Sequence, residues 1–240
     1  MIGFVEPVVA LSLLTLASAE PTAVCQMPKP AEIRVIPKTQ AVKYDLTQTR
    51  AELQGYTMDT VNPYGFDSNS HTNGFMRGLI TMQPFVKLDY KNVLGNRAVC
   101  IWYDTIELKI EIDPLIVIAK EVAEDPCEFE VVKEHELKHV MVDRKIVNKY
   151  ARSMSRKVHE GLKARGFLVG PVRGEYAQKV AERMQETVGQ LVELEYKKME
   201  IERTERQQAI DSLEEYERVG SICKTATGAS RGRGYRGYGR

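Results

Sequence analysis

The chain has 240 residues, 43% of them hydrophobic and 28% charged, a composition that can build a real core and is unlike that of a disordered or membrane-embedded protein. Thirty-four Lys and Arg balance 33 Asp and Glu to a formal charge of +1. No bulk field therefore draws the chain to nucleic acid or to an anionic membrane, and no specific nucleic-acid partner is expected.

The first residues read as an export signal. Pro7 to Leu16 is an apolar run too short to span a bilayer, and Ala17-Ser18-Ala19 supplies the small-x-small pattern of a cleavage site. Cleavage is expected after Ala19, although Glu6 and no basic residue precedes the run. Residues 1–19 are thus a signal peptide, 20–225 one domain, and the mature protein is secreted or periplasmic with no membrane span. Thr22-Ala23-Val24 lacks the small residue that a lipidated Cys25 requires just ahead of it.

Export sets the reading of the four cysteines. Cys25, Cys100, Cys127 and Cys223 form no C-x-x-C pair, so two disulfides are expected in an oxidising compartment. Of the three pairings, Cys100 with Cys127 and Cys25 with Cys223 are favoured. The first ties a strand to the start of a helix and the second fastens the chain ends, but spacing alone does not establish the connectivity.

Glu32 to Pro37 alternates weakly, and a helix-like piece lies near Thr47 to Leu53. Residues 62–74 are dense in turn formers and read as an exposed loop. His71 lies in that loop and reads as a solvated histidine rather than a transition-state donor. From Thr105 to Asp113, Ile106, Leu108, Ile110 and Ile112 alternate with Glu107, Lys109 and Glu111, the pattern of a strand with one wet face. Phe85 to Tyr90 and Ala98 to Tyr103 are its expected partners, so at least three antiparallel strands are expected. Trp102 and Tyr103 read as sheet-packing aromatics.

A helix is expected next. Asp125 can cap it, with Glu128 as a capping-box partner and Pro126 at the first helical position, and neither Gly nor Pro follows before Gly161. This helix carries His135-Glu136-Leu137-Lys138-His139, an H-E-x-x-H sequence. One turn apart on one helix face, the two imidazoles can share a zinc ion, and Glu136 then stands beside a metal-bound water as general base. At about 100° per residue, His135, His139 and Asp143 share the side of Val132, Val142 and Ile146 and face inward. Burying such a pair without a bound ion is expensive, which favours metal over two satisfied core histidines.

At this pentapeptide the chain resembles the zincin metallopeptidases. Val132, Val140 and Met141 agree with the apolar flanks usual in that group, whereas Lys133 and Lys138 depart from them. The order of signal, β segment, cysteine, H-E-x-x-H and long helices is also similar to a group of bacterial secreted proteins regarded as zinc proteases. The resemblance implies an α+β fold in which a small antiparallel sheet precedes two long antiparallel helices, the first carrying the motif. It implies zinc as cofactor, a peptide or protein substrate, and a strand between residues 84 and 113 as the sheet edge on which substrate lies.

No glycine follows His139 closely enough for the metzincin pattern. A gluzincin-like arrangement takes its third ligand from a later helix, and residues 175–209 are strongly helical beyond the Gly/Pro turn at 166–174. Folding the two helices as a hairpin about residue 169 sets the motif opposite residues near 200. Glu195 and Glu202 lie there on the apolar stripe and are the leading candidates, with Asp143 as a competitor better suited to holding His139 from behind. Ser212-Leu213-Glu214-Glu215 is a second capping-box signature, so Asp211 reads as a bend or cap residue. His159 lies about 30 Å along the helix from the motif and is unrelated to it.

The chain ends in a Gly/Arg/Tyr-rich tail, residues 226–240, expected to be disordered and able to touch anionic surfaces through Arg231, Arg233, Arg236 and Arg240. The alternative to a secreted zinc metallopeptidase is a non-catalytic envelope protein whose charged helices and tail bind a partner around a degenerate or structural metal site.

Overall fold

The alternation between Thr105 and Asp113 is the middle of a 21-residue strand, Ala98–Ile118, around which the fold is arranged. The computed structural model describes residues 24–56, 72–95 and 97–231, with side chains to Lys224. The expected signal segment and cleavage site, His71 and residues 232–240 of the tail lie outside the described residues. In chain order the elements are β1 (Glu32–Thr39), β2 (Lys43–Asp45), α1 (Arg50–Leu53), β3 (Gly74–Val93), β4 (Ala98–Ile118), α2 (Lys120–Ala123), α3 (Pro126–Arg165), β5 (Leu168–Arg173), α4 (Ala177–Ile210) and α5 (Leu213–Arg231), with a 3-10 turn at Gly174–Tyr176.

The fold is α+β, but the sheet is mixed and five-stranded rather than antiparallel. β3 runs antiparallel to β4 over its whole length, from Gly74 opposite Ile118 to Val93 opposite Ala98. The other edge of β4 is shared by β5, antiparallel, and by β1 and β2, both parallel. Period-two alternation reports which face is buried and carries no information on strand direction, which is why the parallel pairs were not legible. Nor do Ala98–Tyr103 and Thr105–Asp113 form two strands. Asp104 interrupts the apolar pattern, yet Lys29 and Lys87 meet its carboxylate at 2.8 and 2.9 Å, so the strand runs through it.

One face of β4 is covered by helices. Ile106, Leu108, Ile110 and Ile112 are fully buried against Ile146, Val147, Met154, Val158 and Leu162 of α3 and Met184, Val188, Val192 and Met199 of α4. Each such side chain contributes about 1.5–3 kcal/mol on leaving water. Asp125 caps α3 by accepting from the N–H groups of Cys127 and Glu128, while the Glu128 carboxylate pairs with Arg50 instead of closing a capping box. Gly166, at φ 101°, ends α3 in a conformation that favours glycine.

The two long helices are not the whole helical layer. α1 and α2 precede them, β5 is inserted between them, and α5 follows. Contacts between α3 and α4 run in opposite sequence directions, with Gly161 near Leu191, Tyr150 bonded to Lys198, and Asp143 to Arg203. α5 continues as helix through Arg231, past residue 226.

Two disulfides form, but with a different connectivity from that expected: Cys25–Cys100 and Cys127–Cys223. The parallel register of β1 on β4 accounts for the first, since carrying Glu32 opposite Thr105 back along both strands brings Cys25 beside the start of β4. The second follows from α5, which returns alongside α3 and delivers Cys223 to its first turn. Both bridges fit an oxidising compartment. No helix among the described residues is long and apolar enough to cross a membrane.

Candidate metal centre

His135 and His139 lie on consecutive turns of α3, so their rings project from one face. Their Nε2 atoms stand 3.4 Å apart. Asp211, at the bend between α4 and α5, brings Oδ1 to 3.3 Å from His135 Nε2 and 3.2 Å from His139 Nε2. A tetrahedron whose centre is about 2.0–2.1 Å from each corner has edges of about 3.3–3.4 Å, so three atoms so spaced match the ligand separations of a zinc site. Among the described residues this is the one group of three such side chains that could hold a metal ion, and all three are buried.

The opposite sides of the rings fix their protonation. Gln207 donates its amide N–H groups to the His139 carbonyl at 3.2 Å and to Asp143 Oδ1 at 2.6 Å, which orients the amide. Its Oε1 consequently faces His139 Nδ1 at 2.6 Å, and that nitrogen must donate. Glu215 accepts in the same way from His135 Nδ1 at 3.2 Å. Both Nε2 lone pairs are therefore aimed at each other and at a carboxylate oxygen, an arrangement that needs a cation or a proton at its centre.

A third ring of contacts holds these partners. Asp143 is fully buried and receives Arg203 Nε at 2.8 Å. Arg203 also donates to the carbonyl of Gly78 on β3 at 3.0 Å. β3 passes so close that a Cβ at Gly78 would collide with the Asp143 carboxylate, so glycine is required by the approach rather than by its backbone angles. Glu215 is clamped by Lys138 at 2.6 Å and Arg218 at 2.8 Å. Lys138, the residue that departs from the apolar preference around H-E-x-x-H, thereby helps hold a histidine partner. Glu215→Ala is expected to weaken zinc binding about 10–100-fold by freeing the His135 ring, measured by titration against a chromophoric chelator.

Electrostatics follow the same geometry. Burial pushes the histidines towards neutrality, but the carboxylates of Asp211, Glu136 and, for His135, Glu215 outweigh it, so both hold a proton more tightly than usual. Burial alone would raise Asp211, yet when protons stand on the Nε2 atoms in place of a cation, hydrogen bonds from both imidazoles hold it well below the usual carboxylate range. Arg218, then Lys138 and His135, do the same for Glu215. Glu136 differs: fully enclosed, its carboxyl is pushed up to about 7 by burial, against the pull of the two histidines and of the Met76 backbone N–H, which donates to it.

The carboxylate that joins the histidine pair is Asp211, not Glu195, Glu202 or Asp143. Glu195 is buried but paired with Lys198 at 2.6 Å. Glu202 is shared by Lys149 and Arg206, and Asp143 is occupied by Arg203 and Gln207. The chain reverses at β5 and the following 3-10 turn rather than at residue 169. Each residue of delay in the reversal moves the facing position by two, so His139 meets Gln207, and Asp211 lies one turn beyond. The break in the helix at Asp211 was legible from the capping signature of Ser212 to Glu215; its place opposite the motif was not. His159 packs on Phe167, remote from the cluster.

One sheet edge falls on β3, whose residues 84–93 lie within the stretch expected to supply it. β4 has partners on both sides, which leaves β3 outermost. Near the cluster the outward backbone groups of β3 are already engaged: the Met76 N–H by Glu136, the Gly78 carbonyl by Arg203 and the Ile80 carbonyl by the Tyr196 hydroxyl at 3.2 Å.

No family model, curated protein or solved structure matches the chain. The chemistry of the cluster is thus carried by its own geometry.

Proposed function

We propose that the chain is a secreted zinc-dependent hydrolase of the metallopeptidase type, zincin-like in its motif, with Glu136 as general base. The observation that supports it is the convergence of His135 Nε2, His139 Nε2 and Asp211 Oδ1 at 3.2–3.4 Å beside a buried carboxylate. His135, His139 and Asp211 would hold the zinc. When bound, the metal supplies Lewis acidity and lowers the pKa of a coordinated water towards neutrality. Glu136 is anchored by the Met76 N–H, which leaves its other oxygen to take a proton, and its enclosure raises its basicity. Gln207 and Glu215 keep both imidazoles in the tautomer that offers Nε2.

A peptide or protein substrate is the class this chemistry serves. It cannot add as a strand to β3 between Met76 and Ile80 without displacing Arg203 and Tyr196. One observation favours a second reading, a structural metal site in a non-catalytic protein: His135, Glu136, His139 and Asp211 are only 4–7% exposed.

The two readings share a metal and differ in turnover. Oxidised protein is expected to carry about one zinc per chain by elemental analysis and to hydrolyse casein in a chelator-sensitive way. Zinc without hydrolysis would support the structural reading, and a folded protein that takes up no zinc would refute both.

A further inference from the structure

Resting on the metal-site reading, we propose that the Cys127–Cys223 disulfide is a redox latch, so that the metal site is complete only in the oxidised chain. Asp211 is a bend residue, at φ −79° and ψ 48°, and the direction in which α5 leaves that bend sets where its carboxylate points. Glu215, which orients His135, belongs to the first turns of α5 itself. Two of the site's carboxylates therefore depend on α5 staying against α3.

Among the described residues, the Tyr216 ring of α5 lies 6.0 Å from that of His135, and α5 buries no side chain between Leu213 and Lys224. Val219 packs on an apolar cluster that includes Leu137 and Val140. Arg218 reaches Glu134 at 3.6 Å, and Glu215 meets Lys138 at 2.6 Å. Partly exposed pairs of this kind are screened and weak. α4, by contrast, buries Met184, Val188, Val192 and Met199. The covalent tie at Cys127–Cys223 joins α5 to the first turn of the helix that carries both histidines, closing a span of 96 residues.

The two disulfides differ in access. Cys127 and Cys223 are both partly exposed, whereas in the other bridge Cys100 is 2% exposed and only Cys25 is partly exposed. A dithiol reductant should therefore open Cys127–Cys223 first. In that exchange the reductant gives up two electrons and two protons and ends as its own disulfide, while the S–S bond of Cys127–Cys223 breaks to two thiols. α5 is then released, the bend at Asp211 relaxes, and Glu215 leaves His135.

Linkage makes the idea testable in both directions, because a bond that strengthens metal binding must itself be protected by the metal to the same factor. Full-length protein carrying Cys127→Ser and Cys223→Ser is expected to bind zinc about 10–100-fold more weakly than wild type by chelator competition. A Cys25→Ser, Cys100→Ser control is expected to bind as wild type does. In the wild-type protein equilibrated in a glutathione redox buffer, where two glutathione thiols are oxidised to their disulfide for each bridge reduced, zinc should hold Cys127–Cys223 oxidised at a more reducing poise and should leave Cys25–Cys100 unaffected. Alkylation and mass spectrometry read each bridge separately. This second measurement decides the matter if circular dichroism shows that the double variant has not folded.

Equal zinc affinity in wild type and the folded double variant would overturn the latch alone, as would zinc-independent reduction of Cys127–Cys223. Failure of the oxidised wild type to bind zinc would overturn both the latch and the metal-site reading.

Discussion

Glu136→Gln is expected to leave zinc binding intact while lowering hydrolysis of casein about 10²–10⁴-fold, the usual contribution of a positioned general base. Glutamine has the shape of glutamate and can still accept from the Met76 N–H, so the side chain should stay in place. It is not one of the three converging atoms, so metal content should not change. What it loses is basicity. A variant that retained wild-type turnover would remove Glu136 from the mechanism.

The same substitution has a readout that needs no substrate. In metal-free protein, burial raises the Glu136 carboxyl from its ordinary value of 4.5 to about 7. A carboxyl whose folded pKa lies above its unfolded one favours folding while protonated, and that contribution is lost as pH rises from about 4.5 through about 7. The melting temperature of metal-free wild type should fall as pH rises across that window. Glu136→Gln, which cannot ionise, should show a flatter profile.

The contrast between Glu136 and Asp211 shows what the sequence could carry. Everything about the motif is local: Asp125 and Pro126 start the helix, 3.6-residue periodicity turns His135 and His139 to one face, and no distant residue is needed to infer either. The facing carboxylate is set by the register of one helix on another, which depends on where the chain reverses. Residues 166–174 have the Gly and Pro content of a turn, yet Leu168–Arg173 pairs with the start of β4 as a strand. That pairing joins segments far apart in the chain, Ala98 opposite Arg173, and no local pattern reports it. Disulfide connectivity failed for the same reason, since Cys25 meets Cys100 through a parallel register that no local pattern reports. Lys138 illustrates the reverse error. Read from the sequence only as a departure from the apolar flanks of the motif, it is tied through Glu215 to the ring of His135.

Asp211→Asn is expected to cost far more zinc affinity than any change at the carboxylates first favoured by spacing. Structural zinc in small peptide sites contributes about 10–16 kcal/mol, or roughly 2.5–4 kcal/mol for each of four ligands, so losing one ligand lowers affinity roughly 10²–10³-fold. Asparagine keeps the size of aspartate and tolerates the bend, but it offers a neutral amide where a carboxylate oxygen stood 3.2 and 3.3 Å from two nitrogen lone pairs. Glu195→Gln and Glu202→Gln remove only ion pairs with Lys198, Lys149 and Arg206, and should bind zinc as wild type does. Because a ligand that binds only the folded chain raises its melting temperature in proportion to log affinity, the ranking can also be read from the zinc-induced shift. The shift should shrink for Asp211→Asn and persist for the two glutamate variants. Loss of zinc in Glu195→Gln or Glu202→Gln with retention in Asp211→Asn would reverse the assignment and place the reversal of the chain nearer residue 169.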